Sequence, residues 1–108
     1  MRIYVDPMDA TFEFEAELWQ WDAREDASWI FVSLPQELSE DIEDLVPNRR
    51  GFGSIKVAVR SGSSTWRTSI FPDSKRRCFV LPVKKAVRTK EHLELGDRAQ
   101  FEIDITVV

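Results

Sequence analysis

The two side chains with the readiest chemistry here, His92 and Cys78, are each the sole member of their type. A zinc-type centre draws on three or four His and Cys ligands, so no such cluster can be assembled. A Ser-His-Asp arrangement would have to use His92, which follows Lys90-Glu91 in a polar stretch with no nucleophile motif beside it. An exposed turn is its expected place. Cys78 adjoins Phe79 in an apolar run and reads as a small buried hydrophobe; alone, it cannot form an intrachain disulfide. Glu13, Glu15 and Glu17 recur at every second position, which lines them along one strand face as a solvated or cross-strand-paired stripe. General acid–base work needs a carboxyl in an apolar site with a raised pKa, and nothing in the sequence marks one. A small hydrolase-like enzyme therefore has little support. Gly51-Phe52-Gly53 leads into a strand, whereas a phosphate cradle needs glycines that lead into a helix. These glycines fit a bend or a close strand approach instead.

Binding is better supplied with candidates. Trp66 and Arg67 stand together, and Lys84, Lys85 and Arg88 follow within one short segment. A ligand carboxylate or phosphate could be held by Arg67, Lys84 or Lys85, with arginine giving a planar two-donor grip. These five residues are the expected ligand site, for a small anion, a peptide or a protein partner. The bland reading is that Trp66 packs over an end of the fold and Lys84-Lys85 is a solvated helix face. Nucleic acid is a second possible partner: Arg49, Arg50, Lys56, Arg60, Arg67, Lys84, Lys85 and Arg88 could contact phosphates on a shared face, with Trp66 for stacking. Against it, the chain is acidic overall, with a net charge of −4 and a pI near 5.0.

That charge is unevenly spread. Residues 1–47 hold thirteen acids against Arg2 and Arg24, and residues 48–108 hold thirteen bases against six acids. Between residues 48 and 90, twelve bases face only Asp73. Such a split means either an anion-binding face or acidic strands paired with basic ones across a sheet. The 108 residues suit one domain, residues 1–108, with a single core. No apolar run approaches the ~20 residues that span a bilayer, and MRIYVDPMDATFEFE has no signal-peptide character. The expected setting is cytoplasmic, without cofactor, as a monomer or homodimer.

The elements that must position these residues are mostly strands. The stretch GFGSIKVAVRSGSSTWRTSIF reads as strands 52–60 and 64–71 around the turn Ser61-Gly62-Ser63, with Ile55, Val57 and Val59 alternating inward. Ile3-Tyr4-Val5 suits a short edge strand. Phe12, Phe14, Ala16 and Leu18 oppose Glu13, Glu15, Glu17 and Trp19, so Trp19 and Trp21 fall on the acidic face, covered or exposed. Trp29 to Leu34 is apolar on both sides and ends at Pro35. Ser33 and Gln36 stand at capping-box spacing before a helix with Leu38, Ile42 and Leu45 on its apolar side. After Pro47-Asn48 and the hairpin come a strand at 78–81, a short helix over 83–90 with Val83, Ala86 and Val87 inward, and a last strand over 98–108.

The blocks FEFEAELWQW, WIFVSLP, GFGSIKVAVRSGSSTWRTSIFPD and FVLPVKKAVRTK, with LGD before the last strand, follow one another over roughly Thr11 to Thr106. In this order and spacing the chain resembles domain of unknown function 1905, most of all at Trp66-Arg67-Thr68-Ser69 and Leu81-Pro82-Val83-Lys84-Lys85. The resemblance implies a mainly β fold: a small closed six-stranded β-barrel of the double-split type with two short helices. That architecture class includes dimeric DNA-binding regulators related to antitoxins and transition-state regulators, and no activity is established for the family. A shared fold does not transfer DNA binding.

Overall fold

Alternation decides the inner face. In the computed structural model, which describes residues 2–5, 9–20, 30–46 and 53–106, every described apolar residue of the long strands that was expected to point inward is buried, and Val107 of the last strand lies outside the described residues. Strand β1 spans Arg2–Val5 and β2 spans Asp9–Glu17. Phe12, Phe14 and Ala16 of β2 lie in the core, while Glu15 and Glu17 are exposed. The hairpin of β5 (Ile55–Ser61) and β6 (Ser64–Asp73) turns Ile55, Val57, Val59, Trp66 and Ile70 inward. The last strand β8, Arg98–Thr106, adds Phe101, Ile103 and Ile105. Burying one such side chain contributes about 1.5–3 kcal/mol, so the shared inward face is what holds the strands in register.

Three short strands complete the sheet: β3 (Trp19–Gln20), β4 (Ile30–Ser33) and β7 (Cys78–Pro82). All ladders are antiparallel, in the order β1-β2-β8-β5-β6-β7-β4-β3. This eight-strand order corrects the closed six-stranded barrel that the resemblance implied. β1 occupies the free side of β2, and the two-residue β3 pairs with β4 (Trp19↔Phe31, Gln20↔Ile30). Between β2 and β3, Leu18 donates to Asp97 O and accepts from Gly96 N, each at 2.9 Å. No ladder among the described residues joins β2 to β4, and the result is a curled antiparallel sheet of half-barrel form.

Helix α1, Gln36–Leu45, covers one end of the core with Leu38 and Ile42, and α2, Lys85–Lys90, buries Val87. The capping box expected of Ser33 and Gln36 does not form. Pro35 stands at the N-cap without a side-chain bond, and the Ser33 hydroxyl accepts from Trp19 Nε1 at 2.9 Å. Two further expectations for α2 change. Its helix begins at Lys85, with Val83 bonded as a strand tail to Ile30 O at 3.0 Å, and Ala86 is exposed. The expectations for Trp21, Asp22–Ala27, Trp29, Pro47-Asn48, Arg49-Arg50-Gly51 and Phe52 lie outside the described residues. No helix among the described residues is long and apolar enough to cross a membrane.

Among the described residues, one ion pair across the sheet lies within the basic half of the chain and one joins the two halves. Arg60 of β5 grips Glu102 of β8 with a distance of 2.5 Å, and Arg98 of β8 meets Glu15 of β2 at 3.2 Å. Glu13 and Glu102 are cross-strand neighbours of like charge, and Arg60 stands opposite Glu102 on the other side. Both pairs are exposed to solvent and screened by it, so they bear on register more than on stability.

A carboxylate clasp fixes the β5–β6 turn. Glu91, at the end of α2, accepts from Ser64 Oγ at 2.6 Å, from Ser63 Oγ at 3.0 Å and from Ser63 N at 3.4 Å. Gly62 permits it, with φ 60 and a hypothetical Cβ only 2.0 Å from Glu91 Oε1. The Ser64 and Ser63 hydrogen bonds hold the Glu91 carboxyl below its ordinary value. Its contribution is complete above the ordinary carboxylate range and fades as pH falls through the lowered folded-state pKa. Urea unfolding across acidic pH should show the stability gap between wild type and Glu91→Gln narrowing as pH drops. Gly62→Ala should cost about 1–2 kcal/mol from its left-handed backbone even in a Glu91→Ala background, where the clash is gone.

Candidate functional site

A cleft of about 600 Å³ opens between α1 and the turn joining β6 to β7. Its α1 wall is Ser39, Glu40, Glu43 and Asp44; its other wall and floor are Pro72, Asp73, Ser74, Arg77, Cys78 and Phe79. Each wall is set by a specific bond. On the helix side, the buried Ser39 hydroxyl accepts from the Phe79 backbone N–H at 3.0 Å, while the Phe79 carbonyl accepts from Leu34 N at 2.9 Å. A side chain on α1 thus satisfies a strand donor at the start of β7 and anchors the helix there.

On the turn side the organiser is Asp73. Its Oδ1 accepts from the Lys75 and Arg76 amides at 3.0 and 3.2 Å, and its Oδ2 accepts from Arg76 Nη1 at 2.8 Å. Burial pushes the Asp73 carboxyl up, but the bonds and charge of Arg76 with the Lys75 amide outweigh it and hold it below its ordinary value. The Arg76 guanidinium also lies 3.8 Å from the Trp19 ring centroid, and that ring stacks on Phe31 at 5.3 Å. Trp19 is thereby covered, which settles the alternative left by the sequence pattern. The turn is latched to the β3–β4 side of the sheet through cation–π contact. It ends at Arg77, whose φ of 55 is a left-handed conformation unusual outside glycine.

Cys78 was expected to be a buried hydrophobe, and instead it is half-buried and reaches the cleft. Burial pushes its thiol pKa up; the Ser33 hydroxyl hydrogen bond lowers it and the Asp73 charge raises it. The net shift keeps the thiol protonated at neutral pH, the opposite of an activated nucleophile.

The five residues singled out from the sequence do not share one surface. Trp66 points inward and is 7% exposed, and Arg67, next on the strand, points outward. Arg67 borders a dip of about 410 Å³ on the outer face, with Arg60, Glu102 and Asp104. Lys84 and Lys85 are exposed at α2. Arg88 is half-buried, and its Nε donates to Val83 O at 2.9 Å, so it braces the approach to α2. Lys85 and Arg88 do line one groove, of about 370 Å³, with Thr89, His92, Leu93 and Glu94. Sequence reasoning overlooked the cleft because its walls come from segments about forty residues apart. Ser39, flanked by Leu38 and Ile42 on the apolar side of α1, was the one available signal: a hydroxyl there needs a buried partner.

The family profile described as Domain of unknown function (DUF1905) matches residues 14–103. This chain belongs to that family. Its description names no activity, so the DUF1905 assignment adds no chemistry to the cleft. No curated protein matches the chain. Cys78, Asp73 and Arg67 all lie inside the matched DUF1905 span, as does the whole of α1.

Ser39→Ala should destabilise the protein by about 1–3 kcal/mol, because the bond from the Phe79 N–H to the Ser39 hydroxyl is lost in a buried place. Denaturant unfolding measures the loss, and faster hydrogen exchange at the Phe79 amide assigns it. Iodoacetamide at mildly alkaline pH should alkylate Cys78 several-fold more slowly in the native protein than in the urea-unfolded chain. Equal rates would contradict the raised thiol pKa.

Proposed function

We propose that this DUF1905 chain is a non-catalytic binding module whose small ligand enters the cleft between α1 and the β6–β7 turn. The observation that carries the reading is a concavity of about 600 Å³, within the range of ligand pockets, with apolar surface and a few convergent polar groups. Its walls are held from both sides by the Ser39–Phe79 bond and the Asp73–Arg76–Trp19 latch. Binding is favoured over turnover by the state of the side chains inside. The Cys78 thiol is held protonated, and the Asp73 carboxylate is committed to Arg76 and two amides. Neither is poised to attack or to carry a proton.

A second reading keeps a small anion as ligand and moves it to the α2 groove. It is favoured by the convergence of Lys85, Arg88 and His92 on one concave surface. Nucleic-acid binding draws less support. Arg60 and Arg67 share the outer face with Glu102 and Asp104, so a phosphate backbone laid there meets both signs of charge.

A fragment set titrated into isotope-labelled protein separates these readings by the amides that shift. Shifts at Ser39, Cys78 and Phe79 that disappear in Ser74→Trp, whose new ring fills the exposed rim, are the expected result. Shifts confined to Lys85, Arg88 and His92 would transfer the site to α2. Duplex DNA that shifts the Arg60 and Arg67 amides at low salt would favour the nucleic-acid reading over both.

A further inference from the structure

We infer that the occupant of the α1 cleft is a small neutral carbonyl compound, a ketone, ester or amide on a short apolar body. The inference rests on the binding reading above and adds the chemical class. Ser39 lines the cleft and is only 4% exposed. Its hydroxyl oxygen accepts from the Phe79 N–H at 3.0 Å, and among the described residues nothing accepts the hydroxyl proton in turn. A buried donor left over in this way is uncommon, and the concavity it borders is where a partner for it can enter.

The thiol next to it is left in the same state. Cys78 adjoins Phe79, whose N–H the Ser39 oxygen takes, and Cys78 lines the cleft as well. Trp19 Nε1 donates to the Ser33 oxygen at 2.9 Å, which leaves the Ser33 proton for the Cys78 sulfur. That bond lowers the thiol pKa, as a donor to sulfur does, but burial raises it by more and the thiol keeps its proton. Hydroxyl and thiol thus both have their acceptor side engaged and a proton to give.

Two such donors beside the apolar surface of Pro72 and Phe79 fit an oxygen that only accepts, and a carbonyl oxygen brings two lone pairs. An ammonium at the same place sets donors against donors and gives up hydration without return. A carboxylate would exchange its water for one hydroxyl and one weak thiol donor. Rim charge does not rescue it, because Glu40 and Asp44 on the helix wall oppose the attraction of Arg77 on the turn. A neutral carbonyl loses least on reaching the Ser39 hydroxyl, and its apolar body gains from the burial.

Three probes of one chain length test the class: 2-pentanone, pentanoate and pentylammonium. Each is titrated into labelled protein, reading the Ser39, Cys78 and Phe79 amides. The ketone should bind tightest, by about fivefold over either ion. Ser39→Ala, with its folding checked by its own spectrum, should weaken the ketone by about fivefold and move the ions by less than about twofold. Cys78→Ser puts a stronger donor in the thiol's place and should tighten the ketone several-fold, which keeps the test open if Ser39→Ala does not fold. Either ion binding as well as the ketone, or a ketone affinity that no folded variant changes, overturns the carbonyl while leaving the cleft as a binding site. If all three probes are silent while the fragment set still shifts these amides, the inference again fails alone. Silence from both sets overturns the cleft reading with it.

Discussion

The sheet curls around the backbone of Leu18. Up to Glu17 the chain pairs with β8, and from Trp19 it pairs with β4. In between, both peptide groups of Leu18 bond to the Gly96–Asp97 turn, and its side chain is 1% exposed in the core. A buried backbone group must find a partner somewhere, and here the partner is a turn instead of a ladder. That substitution lets one strand leave its sheet neighbour and join another without an orphaned donor. On the opposite side β6 does the same over ten residues, pairing with β5 as far as Ile70 and with β7 from Phe71. The two crossovers enclose the core between them. They also carry the β6–β7 turn to the end of the fold where α1 lies, and the cleft exists because of that meeting.

Facing was legible in the sequence; adjacency was not. Period-2 alternation states which side chains share a face, and Phe12, Phe14, Ile55, Val57, Val59, Phe101, Ile103 and Ile105 all obeyed it. Closure depends instead on where a few hydrogen bonds go, and Leu18 gives no sign in sequence that its partners are Asp97 and Gly96. Local spacing likewise offered Ser33 to Gln36 as a cap, but an indole N–H fourteen residues upstream claimed the hydroxyl. In α2 the helix is too short for a three-residue apolar stripe. Val87 alone is buried, and Arg88 turns back to the Val83 carbonyl. Of the basic residues expected to bind, Arg67, Lys84 and Lys85 are exposed and Arg88 is half-buried, and of the two readings left open for Trp66, stacking or packing on the fold, its burial fits packing.

The acidic half of the chain contains two populations that composition could not separate. The β2 carboxylates are absorbed by the sheet: Glu15 meets Arg98, and Glu13 lies in the row that Arg60 and Glu102 complete. Those charges sit on an extended outer face, exposed and screened, where their main effect is on register. The α1 carboxylates belong to a different end of the molecule. Glu40 and Asp44 border a concave surface in which field lines are less screened than on a flat face. Identical residue types thus lie on a flat outer face in one place and on a concave rim in the other, and the topology makes the difference.

The polar groups of the cleft are engaged mainly with the walls themselves. Ser39 accepts from a backbone N–H, and Asp73 accepts from two amides and from Arg76, so these groups serve the walls of the cleft. Fixed walls reduce the ordering entropy that association must overcome, so modest contacts suffice for recognition. Catalysis asks for the reverse: a group left underused, with its pKa moved toward neutrality and a partner ready to take its proton. Here Asp73 is moved away from neutrality by its partners, and Cys78 is moved away from its reactive form by burial. The bonds that set the turn wall are those that hold the Asp73 carboxyl below its ordinary value, whereas burial alone accounts for the largest part of the upward shift of the Cys78 thiol.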